Sequence, residues 1–427
     1  MKSEEVAEVA ALPWYRRILG VLIFLPNIMP LKSLITAEIF PWAFFYTLRK
    51  DLRLSLSFGV FLLYLFGSSL VMLGGVSSLQ PLIRALFALM NACMIFFLMA
   101  RLKDAEFKAI NKLFEWVFWA NVIVCSLQFV GLFPPFLTSF VKLFIDRFSG
   151  TSLGGGRGVT ALFAEPSYAS IAMHYFFAYY LLIKRIDPVT RKGAIAIVAM
   201  IAFDLFVIRS VTGSIMIVIY LASLVKRKTL LKAIFLSGVI SVVTLFVMKR
   251  LDSLPRSVEV VYDFVANQEY KDPLPILLEQ SGFRLISIWS AYRYGLVHPL
   301  GSGIGGWPNA SVEAMDAIGV PASSISFFAT LSNTEFFGVR PTSFGAGIML
   351  ETGWIGLLLF GLAFWPYFTK KAIYQNLHSR SLTLMFLFNL FILGTIGDPV
   401  PFIIMGLTFR SMYAPEGSVL APLKDAL

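Results

Sequence analysis

Residues 54–76 read LSLSFGVFLLYLFGSSLVMLGGV, without one charged side chain. A helix of that length is about 30 Å long or slightly more, enough to cross a hydrocarbon core. Residues 82–100 and 230–248 carry similar apolar runs, the first holding Arg84 and the second Lys232. Membrane-spanning strands would instead need short alternating segments repeated along the chain, and none recur. The whole chain agrees. Of its 427 residues 57% are hydrophobic and 14% charged, and mean hydropathy is +0.76. Soluble domains sit near half apolar and a quarter charged. The expected fold class is therefore an all-α polytopic membrane protein.

Twelve spans are expected, near residues 18–31, 34–48, 54–75, 81–100, 113–133, 166–183, 193–208, 211–225, 230–248, 345–368, 382–396 and 399–412. The first two are short and contain Pro26, Pro30 and Pro41, as a broken hairpin would. With the N-terminus placed inside, every short basic loop falls on the inner side, which then holds 23 of the 36 lysines and arginines. That bias sets orientation and puts both termini in the cytoplasm. Two long loops are left outside. One runs from 134 to 165, the other from 249 to 344, too long for a bare connector. The chain thus divides into a bundle of nine spans over 1–248, a large outer loop over 249–344, and C-terminal spans with a cytoplasmic tail over 345–427. Within the large loop, FRLISIWSAYRYGLV (283–297) is expected to be an amphipathic helix on the outer face, ended by GSGIGG (301–306).

The net charge of +11 lies mainly between apolar segments, where it serves topology and lipid headgroups rather than nucleic acid. Cys93 and Cys125 fall within spans and read as small buried hydrophobes. The N-terminal run lacks a small-residue cleavage site, so no cleavable signal peptide is expected. Phosphate loops, dinucleotide fingerprints, metalloprotease helices and nucleophile elbows are all missing.

The candidate site residues lie in or beside the two outer loops. Glu165 precedes Pro166-Ser167 at the start of a span. It reads either as a helix-capping carboxylate or as a carboxylate facing an outer cavity. Arg157 sits in a glycine-rich run, GGGRG (154–158), suited to close approach of an anionic ligand. Arg209 is either an interfacial anchor or a cation of the same cavity. Arg284, Arg293 and Arg340 offer rigid forks for phosphate oxygens, the competing reading being salt bridges within the loop fold. His298 reads first as a satisfied structural histidine and second as a base. Tyr168, Trp289, Tyr292 and Trp307 are candidate sugar-stacking aromatics. Glu351 is expected to be a buried, hydrogen-bonded carboxylate, and Asp398 a turn former. No paired carboxylates in an outer loop demand a metal.

The order of RGVTALFAEPSYAS (157–170), RSVTGS (209–214), FRLISIW (283–289), HPLGSGIGG (298–306) and LETGWIGLLL (350–359) resembles the Wzy-type O-antigen polymerase family. That family belongs to the larger O-antigen polymerase and ligase superfamily. The resemblance covers most of the chain in layout and five short patches in motif. It implies a GT-C-like, metal-independent glycosyltransferase without a cofactor. Such an enzyme joins repeat units carried on undecaprenyl pyrophosphate at the periplasmic face of the bacterial inner membrane. It also implies membrane lipids as surroundings, and a chain-length regulator and a flippase of the same pathway as partners. The family's arginine followed ten or so residues later by glycine matches Arg284 and Gly295, and its glutamate before Pro-Ser matches Glu165. Arg157 has Tyr168 where a second such glycine would stand. A His-Asn pair usual in ligase relatives is replaced by Arg340-Pro341-Thr342-Ser343.

On this reading Glu165 binds or deprotonates the acceptor, Arg284 with Arg209 and Arg340 binds pyrophosphate, and Arg157 positions the acceptor. Two other classes stay open. One is a ligase moving finished glycan to lipid A core or protein, which an essential outer-loop histidine would favour. The other is a lipid-linked oligosaccharide flippase, which would show internal halves.

Overall fold

The computed structural model describes residues 13–30, 39–48, 54–71, 79–152, 158–224, 283–320 and 340–413, and every regular element among them is a helix. In chain order these are α1 (Trp14–Leu22), α2 (Trp42–Thr47), α3 (Leu56–Val71), α4 (Leu79–Met99), α5 (Asp104–Phe129), α6 (Pro135–Lys142) and α7 (Pro166–Ile183). Then come α8 (Arg191–Ala202), α9 (Val211–Leu224), α10 (Phe283–Val297), α11 (Trp307–Asp316), α12 (Phe344–Phe368), α13 (Lys371–Gln375), α14 (Leu377–Phe388) and α15 (Val400–Met412). Helices α8 and α14 continue into π-helical turns, Phe203–Ile208 and Asn389–Leu393.

Among the described residues, three helices are long and apolar enough to cross a membrane: Gln80–Met99, Asp104–Phe129 and Phe344–Phe368. Shorter apolar helices cover Leu56–Leu70, Val211–Leu224, Leu377–Leu393 and Val400–Met412. These helices are compatible with a membrane protein. The span expected over 166–183 matches α7 in extent, though α7 is not one of the three, and the span expected over 113–133 falls on the longer helix Asp104–Phe129. The span at 230–248 and most of the 249–344 loop lie outside the described residues.

Helix α7 is the central element. It contacts α5, α8, α9, α14 and α15, and twelve of its residues are buried, from Ala169 to Leu182. A helix apolar all round is one that is enclosed all round. A second layer of aromatics joins α3, α4, α12 and α15: Phe58 lies 4.7 Å from Phe97, Phe97 5.3 Å from Phe364, and Phe344 5.0 Å from Phe402 between ring centroids. Edge-on and tilted aromatic pairs of this kind add to the packing of the buried area itself.

Helix α12 is kinked at Gly353, with φ 64° and ψ −172°. A break inside an apolar helix needs protein partners for its freed carbonyls. They are supplied here. Ser302 N–H donates to the Leu350 carbonyl at 3.0 Å, and the Tyr64 hydroxyl donates to the Thr352 carbonyl at 2.8 Å. A Cβ on Gly353 would lie 2.0 Å from the Pro299 carbonyl oxygen. The patches HPLGSGIGG and LETGWIG are therefore two halves of one packed unit.

Helix α10 forms as expected and lies against α12. Gly295 permits the approach, since a Cβ there would lie 2.3 Å from the Met349 carbonyl oxygen. Its free face carries Trp289, Leu296 and Val297, which are about two-thirds exposed, beside exposed Arg293. The helix is thus apolar on both faces, not amphipathic as the sequence suggests.

Candidate functional site

The C-terminal half of α5 organises the loop that leads to Glu165. Gln128 donates to the carbonyls of Ser149 (2.7 Å) and Ala161 (3.3 Å), and its own carbonyl accepts the Ala161 N–H at 2.9 Å. Asn121 accepts the Leu162 N–H at 3.1 Å. Ala161 has φ 51°, a conformation uncommon outside glycine, and the bonds on both sides of it fix that geometry. Below this loop Phe133, Ile145, Phe148 and Ala164 form a small buried cluster. On the far side Gly158 packs against the Ile208 carbonyl, and Val159 N–H donates to the Val207 carbonyl at 3.3 Å.

Glu165 is the N-cap residue of α7, with extended backbone, yet its side chain makes no capping hydrogen bond. The carboxylate turns outward instead. Oε1 pairs with the Arg147 guanidinium. Oε2 lies 3.6 Å from Arg284 Nη2 and accepts from the Ser167 hydroxyl at 3.2 Å. The capping reading of Glu165 is thus corrected: the position caps, the side chain does not. All three charged side chains keep solvent access, with relative exposures of 55% for Arg147, 43% for Arg284 and 27% for Glu165. Two guanidiniums share one carboxylate at an open surface, and the guanidinium fork is the group best suited to an oxyanion. Arg147 was not singled out in the sequence. Its placement depends on the chain reversal after α6, where Arg147 itself has φ 56°.

The other candidates fall elsewhere. Arg209 ends the π-helical turn after α8 in the left-handed region. Its Nε donates to the Phe206 carbonyl at 2.9 Å, and its guanidinium lies 5.8 Å from the Phe129 ring centroid. These contacts match the anchor reading. Arg340 forms an ion pair with buried Glu351, whose other oxygen accepts the Gly305 N–H at 3.1 Å. Arg340 and Glu351 thus fasten the glycine-rich turn onto the kinked helix: Glu351 is the buried, hydrogen-bonded carboxylate expected, and Arg340 makes a salt bridge, the competing reading for it. His298 Nδ1 donates to the Tyr294 carbonyl at 3.1 Å, and its ring stacks on Tyr294 at 4.1 Å. It is the satisfied structural histidine. Tyr168 is half-buried between two apolar clusters. Gly295 serves helix packing. Arg157 lies outside the described residues. Asp398 Oδ1 accepts the Val400 N–H at 3.0 Å, the expected turn.

No cluster of metal-ligating side chains occurs among the described residues. Comparison of the chain with protein-family models, curated proteins and solved structures gives no match.

Proposed function

We propose that this chain polymerises lipid-linked oligosaccharide repeat units at the outer face of a bacterial inner membrane, by metal-independent glycosyl transfer. The observation that supports this reading is the Arg147–Glu165–Arg284 cluster. It joins the first outer loop, the start of α7 and the large-loop helix α10 at one accessible point. Sugar pyrophosphates are already activated, so the protein's task is to stabilise the departing diphosphate and orient an acceptor hydroxyl. In this scheme the two arginines hold the diphosphate. Glu165, displaced from them by that anion, becomes the carboxylate that receives the acceptor proton. The glycosidic bond forms as the sugar–phosphate bond breaks, and the undecaprenyl pyrophosphate leaves with the electron pair.

A polymerase-deleted host tests the proposal. Wild type, Glu165→Gln and Arg284→Ala are expressed at matched membrane levels, and the surface glycan is resolved on a gel. Wild type is expected to restore a ladder, and each variant to leave single capped units. A full ladder from both variants would overturn the assignment of this site.

A further inference from the structure

Deeper in the bundle, α7 and the π-helical turn after α8 share a second polar group, which the proposed reaction does not use. The Ser170 hydroxyl donates to Asp204 Oδ1 at 2.5 Å, and His174 Nδ1 lies 2.8 Å from the Ser170 carbonyl oxygen. A carbonyl only accepts, so Nδ1 carries a ring proton in that contact. Neither His174 Nε2 nor Asp204 Oδ2 has a hydrogen-bond partner, and both residues are 1% exposed. They line one cavity of about 190 Å³, walled otherwise by apolar side chains such as Phe118, Val122, Phe177, Met200 and Phe203. The group is not a nucleophilic triad, because the serine hydroxyl is committed to the aspartate and not to the histidine.

Two side chains act directly on the Asp204 carboxyl: His174 through its charge and Ser170 through its hydroxyl. From α5 the titratable side chain that senses Asp204 is Cys125. From α9 the carboxylate meets Gly213, where a Cβ would lie 2.2 Å from Oδ2. Arg209 closes the same π-helical turn, but its guanidinium is held at the Phe206 carbonyl and Phe129. On α7, Tyr175 follows His174, and the carboxylate that acts on it is Asp398. The charged residues of α8, Arg191 and Lys192, stand at its opposite end. Two enclosed polar atoms without hydrogen-bond partners, both on one apolar cavity, form an arrangement that burial penalises heavily. Ionisable groups among apolar helices tend to mark proton or ion sites for this reason.

We propose that Asp204 is a proton-binding site, its Oδ2 holding one exchangeable proton in the cavity it shares with His174. The proton cancels the carboxylate charge in that apolar cavity and makes Oδ2 a donor. Oδ1 remains the acceptor for Ser170. The Asp204 carbonyl accepts the Arg209 N–H at 2.7 Å, so the occupied or empty state is transmitted to the turn beside Gly158. A π-helical turn at this position fits a functional site, since such turns recur there.

Infrared spectroscopy of the full chain in lipid nanodiscs at neutral pH tests the assignment. Wild type is expected to show a carboxylic-acid C=O band that Asp204→Asn removes. Ser170→Ala should shift that band to higher frequency, because it deletes the hydroxyl that donates to the carbonyl oxygen. Any band from Asp398 stays in place in both variants. Should Asp204→Asn fail to fold, the Ser170→Ala shift decides alone. Superimposable spectra in the acid region for wild type and the folded variants would mean an ionised Asp204, and the proposal fails.

Discussion

Arg284 Nη2 stands 3.6 Å from Glu165 Oε2, on a carboxylate whose other oxygen is held by Arg147. The three side chains come from α10, the start of α7 and the loop after α6. An exposed ion pair of this kind contributes little to stability, about 0–1 kcal/mol. Its significance lies in what it keeps in place. Two arginines are oriented towards one accessible point, and the carboxylate can yield to a competing oxyanion.

Arg147 should therefore matter for activity and little for folding. Arg147→Ala is expected to shorten or abolish the glycan ladder on the order of tenfold or more, as loss of a charge-assisted contact implies. Arg147→Lys should retain part of it, because lysine supplies charge without the fork. Membrane abundance and monodispersity should match wild type for both. A normal ladder with Arg147→Ala would exclude it from the site.

Arg340 should behave in the opposite way. Arg340→Ala leaves Glu351 enclosed without its cation, at a cost of about 3–5 kcal/mol. The double variant Arg340→Ala/Glu351→Gln removes the charge and keeps an acceptor for the Gly305 N–H. It is expected to regain most of the melting temperature in detergent. If the double variant is stable but builds no ladder, Arg340 has a binding role beyond the ion pair.

The two packing glycines should be intolerant for different reasons. Gly353→Ala forces a side chain into a backbone region almost confined to glycine, and its Cβ would lie 2.0 Å from a carbonyl oxygen. Gly295→Ala keeps an ordinary helical backbone but drives α10 away from Met349. Both should lower the yield of monodisperse protein in fluorescence-detected gel filtration, and Gly361→Ala, which meets open space, should not.

Asp398 gives a pH signature. It sits in the turn before α15, where burial pushes its carboxyl up to about 6 against the opposing pull of the Val400 N–H. A carboxyl raised in the folded state contributes stability that is full below its unfolded value and lost as pH rises through the folded one. Thermal stability attributable to this group should fall between about pH 4 and pH 7, by roughly 1.4 kcal/mol per unit of displacement. Asp398→Asn keeps an acceptor for Val400 and should flatten that slope, with its advantage over wild type growing towards neutral pH. Parallel melting curves for the two proteins across this range would refute the assignment.

Much of the architecture was legible in the chain because hydrophobic length is a local property. The start of α7 at Pro166, the extent of α10 and the turn at Asp398 follow from proline placement, apolar runs and turn chemistry within a few residues. Glu351 as a buried carboxylate was legible too, since an acid inside an apolar run needs a partner. The identity of that partner was not. Arg340 reads as a phosphate fork or as a salt-bridge partner of loop carboxylates, and only the kink at Gly353 brings the glycine-rich turn, Glu351 and Arg340 together. Arg147 went unnoticed because its position depends on a chain reversal and on side-chain hydrogen bonds from Gln128 and Asn121. The second face of α10 was misjudged because a period of 3.6 cannot tell which environment each face meets.

The sequence by itself determined that this chain is helical and apolar enough for a membrane, and which residue types crowd its polar segments. Composition and run length act residue by residue. The tertiary structure alone decided which polar groups meet: Glu165 with Arg147 and Arg284, Arg340 with Glu351, and Asp204 with Ser170. Ion pairing and burial depend on distances between segments far apart in the chain, and those distances are set only when the helices pack.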